Sequence, residues 1–90
     1  LFLCHGNACR SPFAAALFRR DATERLAAPI KVESAGLVAP GRPSPTSAIA
    51  AAHRRGIDLS HHQSRLLTTR AIGAAQLVVV MRLIRLASFA

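Results

Sequence analysis

Two residues near the start of the chain have the types and the spacing of a phosphate site that contains a nucleophile. Cys4 and Arg10 are separated by five residues, between a hydrophobic stretch and the pair Ser11 and Pro12. A short loop of this kind can point backbone N–H groups at one anion, and the following helix adds its positive end. The same groups favour the thiolate form. We therefore predict that Cys4 is a nucleophile and that Arg10 holds two phosphate oxygens with its planar guanidinium.

The residues inside this loop are the expected phosphate ligands. They are His5, Gly6, Asn7, Ala8, Cys9 and Arg10. Gly6 is predicted to adopt a positive φ, and Asn7 to adopt a left-handed conformation or to brace the loop with its side-chain amide. Ser11 is predicted to cap the helix and to form a hydrogen bond with the Cys4 sulfur, while Pro12 occupies the first helical position.

The elements that must position this loop alternate between strands and helices. We expect strands over 1–4, 30–34 and 77–81, and helices over 12–26, 45–55 and 69–75. Gly56 is placed to stop the second helix, and Ala35-Gly36 to turn the chain after the second strand. Ser34, at the end of that strand, is expected to lie near the loop and to support it. The β-branched run at 77–81 is typical of a strand covered on both faces.

This alternation predicts an α/β fold, a three-layer sandwich built on a parallel sheet. We expect three strands in the flavodoxin-like order 2-1-3 and about three helices. The 90 residues, 51% of them hydrophobic and 18% charged, predict one small folded domain over 1–90 and argue against disorder. In an open parallel sheet the functional site lies at the strand ends, which is where the loop is found.

The charge and the hydropathy of the chain limit the kinds of ligand and the cellular location that we expect. The net charge of +8 attracts anions of any kind, but the arginines are scattered without interleaved aromatic residues, so no specific nucleic-acid binding is expected. No segment approaches the ~20 apolar residues of a membrane span, and no secretory signal opens the chain. We expect a cytoplasmic protein.

The loop Cys-His-Gly-Asn-Ala-Cys-Arg-Ser-Pro resembles the active-site loop of the low-molecular-weight protein-tyrosine phosphatases. The resemblance continues at 33–36, 56–60, 62–65 and 77–81, and so covers roughly residues 1–81. It implies that Cys4 is the nucleophile, Arg10 the phosphate clamp, Asn7 and Ser11 loop supports, and Cys9 a second loop thiol. It further implies hydrolysis of a phosphotyrosine protein or small aryl phosphate through a cysteinyl-phosphate, with inorganic phosphate as a competing ligand and no cofactor or metal.

The chain also departs from this family. Ala15 and Gln76 stand where the family commonly has acidic residues, and the stretch 81–90 follows no family pattern. The family's general acid, an Asp in a downstream Asp-Pro loop, has no match among the carboxylates of this sequence. We therefore expect an incomplete domain with an exposed sheet edge and impaired turnover, and a tail that is either unrelated or a short amphipathic helix.

Several other interpretations remain open. A thiol-dependent arsenate reductase shares such a loop but needs further cysteines, and none follows Cys9. A non-catalytic phosphate-binding remnant would also retain the loop. Cys4 and Cys9 could pair as a redox switch, and with nearby histidines they could bind zinc, although the spacing lacks a zinc-ligand pattern. His62 is interpreted as a structural residue, and Arg65 as equally consistent with a solvated surface position.

Overall fold

The computed structural model describes residues 1–26 and 30–81, and within them three short strands alternate with three helices. The elements are β1 (Phe2–Leu3), α1 (Arg10–Arg25), β2 (Ser34–Ala35), α2 (Thr46–His53), α3 (Thr69–Ala74) and β3 (Val79–Val80). The strands form one parallel sheet in the order β2-β1-β3. The predicted α/β class, the parallel sheet and its order are confirmed.

The central strand β1 sets the register of the whole sheet. Phe2 lies opposite Ser34 of β2 and opposite Val79 of β3. The next residue, Leu3, lies opposite Ala35 and Val80. Parallel neighbours cannot be joined by a tight turn, so each connection must cross the sheet through a helix. As a result, the loop that follows β1 emerges at the centre of one sheet edge.

Helix α1 starts directly out of that loop. It begins at Arg10, two residues earlier than predicted, so Pro12 is its third residue, where a backbone N–H would have no partner within the helix. Its buried positions, Ser11, Pro12, Ala15 and Ala22, include small residues that allow close packing on β1 and β2. Among the described residues, no helix combines the length and the apolar character needed to cross a membrane.

Strand β2 is shorter than predicted, and the residue after it does not turn the chain. The Val32 carbonyl accepts a hydrogen bond from the Arg19 side chain at 2.7 Å. This side chain takes the place of the backbone N–H that a neighbouring strand would offer to the carbonyl. Gly36 continues in extended pairing instead, its N–H bonded to the Arg65 carbonyl at 2.7 Å and its carbonyl to the Leu67 N–H at 2.8 Å. The predicted turn at 35–36 was therefore wrong.

The small core lies where α2 and the chain that follows it meet α1. Ala52, Ile57 and Leu59 are buried there, and the partly buried Ile49 of α2 packs against them together with Phe13, Ala16 and Leu17 of α1. Gly56 has φ of +75° and ends α2 as predicted: its N–H bonds the His53 carbonyl, while the Ile57 N–H reaches back to Ala52. This pair of hydrogen bonds is the Schellman motif.

The predicted strand at 77–81, which contains β3, is more exposed to solvent than its sequence suggested. In the described part of the chain Leu77 is 66% exposed and Val78 36%, whereas Val79 and Val80 are half-buried. A β-branched run indicates strand propensity, but burial depends on what packs against it, so the predicted coverage of both faces was wrong. The predicted amphipathic tail lies outside the described residues.

Two glycines provide a test of the helix ends. Replacing Gly56 with Ala should lower the free energy of unfolding by about 1–2 kcal/mol, because its positive φ is strained for any L side chain. The matched change Gly73→Ala, within α3 and with open space around the new methyl group, should raise it by about 0.5–1 kcal/mol. Urea unfolding of the two variants measures both signs. A loss of stability in Gly73→Ala equal to that in Gly56→Ala would contradict this account.

Candidate functional site

The loop between β1 and α1 begins with a buried thiol. Cys4 is 4% exposed, and its N–H bonds the Ala35 carbonyl of the neighbouring strand at 3.3 Å. The chain then passes through five residues and enters α1 at Arg10. The start of that helix follows the loop directly, so the free N–H groups of its first turn lie beside the loop, as the sequence predicted.

Asn7 is the structural centre of the loop. It is fully buried, and its φ of 52° is left-handed. Its backbone N–H donates to the Cys4 sulfur at 3.2 Å, and its side-chain Nδ2 donates to Ser11 Oγ at 2.8 Å. Its Oδ1 accepts from the Arg65 N–H at 2.8 Å, and its carbonyl lies 2.6 Å from His62 Nε2. One residue therefore connects the thiol, the helix and a distant segment.

This arrangement corrects the role predicted for Gly6. The positive φ of the loop belongs to Asn7, and the two glycines with positive φ in the described chain are Gly41 and Gly56. Asparagine tolerates the left-handed region better than other non-glycine residues. Asn7 therefore has both features considered for it: its backbone is left-handed, and its side-chain amide braces the loop through hydrogen bonds.

The hydrogen bond between Asn7 and Ser11 orients the serine toward the thiol. Ser11 Oγ accepts from Asn7 Nδ2, so its own hydrogen is free for the Cys4 sulfur, 3.0 Å away. The predicted contact between Ser11 and the sulfur is present. The predicted capping role is not, because Ser11 is the second residue of α1 and the N-cap residue is Cys9, which makes no side-chain cap bond.

Two opposing effects act on the Cys4 thiol. Burial raises its pKa, but hydrogen bonds from the Ser11 side chain and from the backbone of Ser11 and Asn7, with the positive charge of Arg10, outweigh burial and hold the pKa below its ordinary value. The Ser11 hydroxyl and the Asn7 N–H lie 3.0 Å and 3.2 Å from the sulfur, so these two donors act at short range. A thiolate at Cys4 is the nucleophilic form of the residue.

The residues that directly follow β2 pack closely against the loop and fix its conformation. A methyl group on Gly36 would lie 2.8 Å from Asn7 Cβ and 2.9 Å from Asn7 N, so only glycine fits there. The next residue, Leu37, donates its N–H to the His5 carbonyl at 2.8 Å. Ser34, predicted to support the loop, makes no hydrogen bond to it within the described residues and lies opposite Phe2 instead. The loop is held by the chain after Ser34.

The remaining loop residues are more accessible. Arg10 and Cys9 are exposed, and Gly6 and Ala8 are partly buried. Cys4 and Cys9 are not joined by a disulfide in this structure. His5 keeps a buried Nδ1 that has no hydrogen-bond partner among the described residues. Within residues 1–26 and 30–81, no three His, Cys, Asp or Glu side chains are grouped closely enough to hold a metal ion.

Sequence reasoning missed the contribution of residues 62–67. His62 and Arg65 contact Asn7 from 55 and 58 residues away, and Arg65 does so through its backbone N–H. The sequence predicts a structural role for His62 but does not identify its partner, and the backbone contact of Arg65 leaves no signal in residue type. The similarity of residues 62–65 to a known motif was the available signal that this segment matters.

Comparison with known proteins extends the predicted resemblance toward the end of the chain. The family model described as "Low molecular weight phosphotyrosine protein phosphatase" matches residues 1–88, beyond the predicted limit at residue 81. The chain is 39% identical over 82 residues to the probable low molecular weight protein-tyrosine-phosphatase EpsP of Ralstonia nicotianae. It is 40% identical over 82 residues to the protein-arginine-phosphatase of Bacillus subtilis. Each alignment covers 90% of this chain and 53% of the relative, so the chain spans about half the length of these curated relatives.

Solved structures show the same relation. A low molecular weight protein tyrosine phosphatase from T. tengcongensis superposes with a TM-score of 0.79 at 34% identity, covering 89% of this chain and 55% of that one. The tyrosine phosphatase Wzb from Escherichia coli K30, in complex with sulphate, superposes with a TM-score of 0.82 at 30% identity, covering 97% and 58%. Both similarities extend over nearly all of the present chain.

The hydrogen bond from Ser11 can be tested through the reactivity of Cys4. In a Cys9→Ser background, Ser11→Ala should move the midpoint of the pH dependence of iodoacetamide alkylation upward, because a hydrogen bond to a charged group contributes about 1.5–3 kcal/mol. The control Ser60→Ala removes an exposed serine hydroxyl that contacts Asp58 and should leave the midpoint unchanged. An unchanged midpoint in Ser11→Ala would show that the serine does not stabilise the thiolate.

The close approach of Gly36 makes a second prediction. Gly36→Ala should lower the free energy of unfolding by about 1–3 kcal/mol, because the new methyl group overlaps the backbone of Asn7 and no flexible side-chain end can yield. The Cys4 alkylation midpoint should rise in the same variant, since Asn7 donates to the sulfur. Gly73→Ala, which meets nothing within 4 Å, serves as the control. Wild-type stability and reactivity in Gly36→Ala would contradict the packing described.

Proposed function

Because this chain belongs to the low molecular weight phosphotyrosine protein phosphatase family, we propose that it hydrolyses phosphate monoesters, with Cys4 as nucleophile and residues 5–10 as the phosphate-binding loop. The observation that carries the proposal is the environment of the Cys4 sulfur. The sulfur is buried, bonded by Ser11 Oγ and by the Asn7 N–H, and has a lowered pKa. A packing cysteine needs none of these donors.

In the first step the Cys4 thiolate attacks phosphorus. The sulfur–phosphorus bond forms while the bond from phosphorus to the leaving oxygen breaks, and the leaving oxygen takes its proton from water. Backbone N–H groups of the loop bond the equatorial oxygens, except that of Asn7, which donates to the sulfur, and Arg10 adds a bidentate positive charge. Arg10 suits this role because it is the first residue of α1, so its backbone is held by the helix while its side chain remains exposed.

In the second step water attacks the same phosphorus atom. The sulfur–phosphorus bond breaks, inorganic phosphate leaves, and the thiolate is restored. The hydrogen bonds that favour the thiolate before attack also make it a better leaving group here, so Ser11 and Asn7 serve both steps. Ser11 is therefore proposed as a positioning residue, and Ser34 as a more remote support through strand β2. The reaction needs neither a metal nor a cofactor.

Protonation of the leaving oxygen limits this chain. Asp21 and Glu24 lie on the exposed surface of α1, Glu33 is paired with Lys31 at 3.3 Å, and Asp58 is bonded to Ser60. None of these four carboxylates makes a hydrogen bond to the loop. We therefore propose that leaving groups which are weak bases react well, and that leaving groups requiring an acid react slowly.

Aryl phosphates fit the mouth of the site better than phosphoguanidines. Leu37, Val38 and Leu66 are exposed apolar side chains, 52%, 37% and 45% exposed, on the paired segments that flank the loop. An aromatic ring can pack against such a surface. A guanidinium would instead require a carboxylate partner, and none contacts the loop. These features support phosphotyrosine, or a small aryl phosphate, as the substrate class.

Three alternatives compete with this function. Phosphoarginine is the second candidate substrate because the protein-arginine-phosphatase of Bacillus subtilis is 40% identical over 82 residues. A thiol-dependent arsenate reductase would require further cysteines, whereas both cysteines of this sequence lie in the loop. A non-catalytic phosphate-binding protein would keep the loop geometry without turnover. A cytoplasmic location stays a prediction.

The proposal predicts a marked preference between two substrates. The full chain should turn over p-nitrophenyl phosphate about 100-fold faster than a phosphotyrosine peptide, because general acid catalysis typically contributes about 10²–10⁴-fold and p-nitrophenolate hardly needs it. Cys4→Ser should abolish both activities while retaining the wild-type thermal unfolding midpoint. Steady-state kinetics with both substrates, and with a phosphoarginine peptide, provide the measurement.

Each outcome has a distinct meaning. Equal turnover of the two aryl substrates would show that a proton donor acts at the loop. Faster turnover of the phosphoarginine peptide would favour the second candidate. Binding of orthophosphate or vanadate without turnover would favour the non-catalytic protein, and no binding of either would refute the proposed function.

A further inference from the structure

We infer that this site takes phosphorylated segments whose neighbouring residues are acidic, and that they bind a basic rim formed by Arg10, Arg42 and Arg65. This inference rests on the proposed function, because it names the kind of protein segment that would reach the phosphate loop. It follows from where the backbone places these three arginines and from the absence, among the described residues, of any ion pair between them and a carboxylate.

The rim is anchored to the loop through main-chain contacts. The Arg65 N–H donates to Asn7 Oδ1 at 2.8 Å, so Arg65 is one hydrogen bond from the centre of the loop. Arg42 pairs with Ser64, which precedes Arg65: its N–H donates to Ser64 Oγ at 2.9 Å, and its carbonyl accepts from the Ser64 N–H at 2.8 Å. Both arginine side chains are exposed and take no part in these bonds. The backbone is therefore fixed while the charges remain available to a ligand.

The positive charge of the rim is not compensated within the described residues. The one ion pair found there joins Lys31 to Glu33, so none of the described arginines is paired with a carboxylate. On α1, Asp21 and Glu24 lie about 16 Å and 21 Å from Arg10 along the helix axis, at 1.5 Å per residue. These distances exceed the screening length of about 8 Å at physiological salt.

The two remaining carboxylates are engaged elsewhere. Glu33 and Asp58 line a cleft of about 520 Å³ between α1, β2 and residues 58–65, which Arg65 also borders. Glu33 lies against Lys31, and Asp58 accepts both the N–H and the hydroxyl of Ser60, which lower its pKa. Neither forms an ion pair with Arg65. An approaching segment thus meets positive charge on the side of the loop formed by residues 42 and 65.

Charge complementarity indicates which kind of ligand binds beside Arg42 and Arg65. Phosphate enters the loop as a dianion, and acidic side chains beside it would meet Arg42 and Arg65, whereas basic side chains would be repelled. A nucleic acid is less suited to this surface, because the flanking side chains Leu37, Val38 and Leu66 are aliphatic and offer no stacking platform for bases. The ligand is therefore a phosphorylated protein segment with acidic flanks.

Equilibrium binding to the Cys4→Ser chain tests the inference, since this variant can bind without turning over its ligand. Fluorescence anisotropy would compare three phosphotyrosine peptides of equal length with Asp, Ala or Lys on both sides of the phosphotyrosine. We expect the Asp peptide to bind about fourfold to 25-fold more tightly than the Ala peptide at 50 mM salt, from two exposed charge contacts of about twofold to fivefold each. The Lys peptide should bind most weakly, and raising the salt should reduce the differences.

Substitution of the rim supplies the decisive comparison. Arg42→Gln and Arg65→Gln, each made in the Cys4→Ser chain, should each reduce the ratio of Asp-peptide to Ala-peptide affinity by about twofold to fivefold. Arg25→Gln removes the same charge about 22 Å from Arg10 along α1 and should leave that ratio unchanged. Circular dichroism of each variant checks the fold, which the backbone contacts of residues 42 and 65 should preserve.

The possible failures are distinguishable. If the three peptides bind equally well, the basic rim does not select ligands and the inference is wrong, while the proposed function stands. The inference is equally wrong if Arg25→Gln reduces the ratio as much as the rim variants do, or if single-stranded RNA displaces the Asp peptide more effectively than an unlabelled copy does. If no peptide and no orthophosphate binds, the proposed function itself fails.

Discussion

The site depends on a single buried asparagine that four partners hold in a left-handed conformation. Asn7 donates to the Cys4 sulfur and to Ser11, and accepts from Arg65 and from His62 across more than fifty residues of chain. A buried amide must satisfy its polar groups, and here two partners flank the loop while the other two lie in the distant segment 62–67. The loop conformation and the tertiary structure therefore require each other.

The same contacts decide the state of the thiol. Burial alone would favour a neutral Cys4, and a cysteine at the end of a buried strand is ordinarily inert. The hydrogen bonds from Ser11 and Asn7 reverse that preference because they act directly on the sulfur, while Arg10 contributes from a more exposed position. The chain thus combines a sulfur shielded from solvent with an environment that favours its charged form, which is what attack on phosphorus requires.

Local parts of the site could be predicted from the sequence, and long-range parts could not. The strand–loop–helix order and the contact between Ser11 and Cys4 follow from residues within a short stretch of chain. The role of Gly36 was misassigned, because a glycine typical of a turn and a glycine needed for close approach look alike in sequence. Gly6 was assigned the positive φ for a similar reason: propensity favours glycine, while the side-chain bonds of Asn7 stabilise the left-handed residue actually found.

The amino-acid sequence alone determined the nucleophile candidate, the loop that surrounds it and the α/β class, because these depend on residue type, spacing and hydrophobic alternation. Only the tertiary structure decided which residue carries the strained conformation, which distant backbone groups brace it, and how far the third strand is covered. The physical reason is that a backbone hydrogen bond or a close approach is made by atoms common to every residue, so nothing in the type of Arg65 or Gly36 announces its partner.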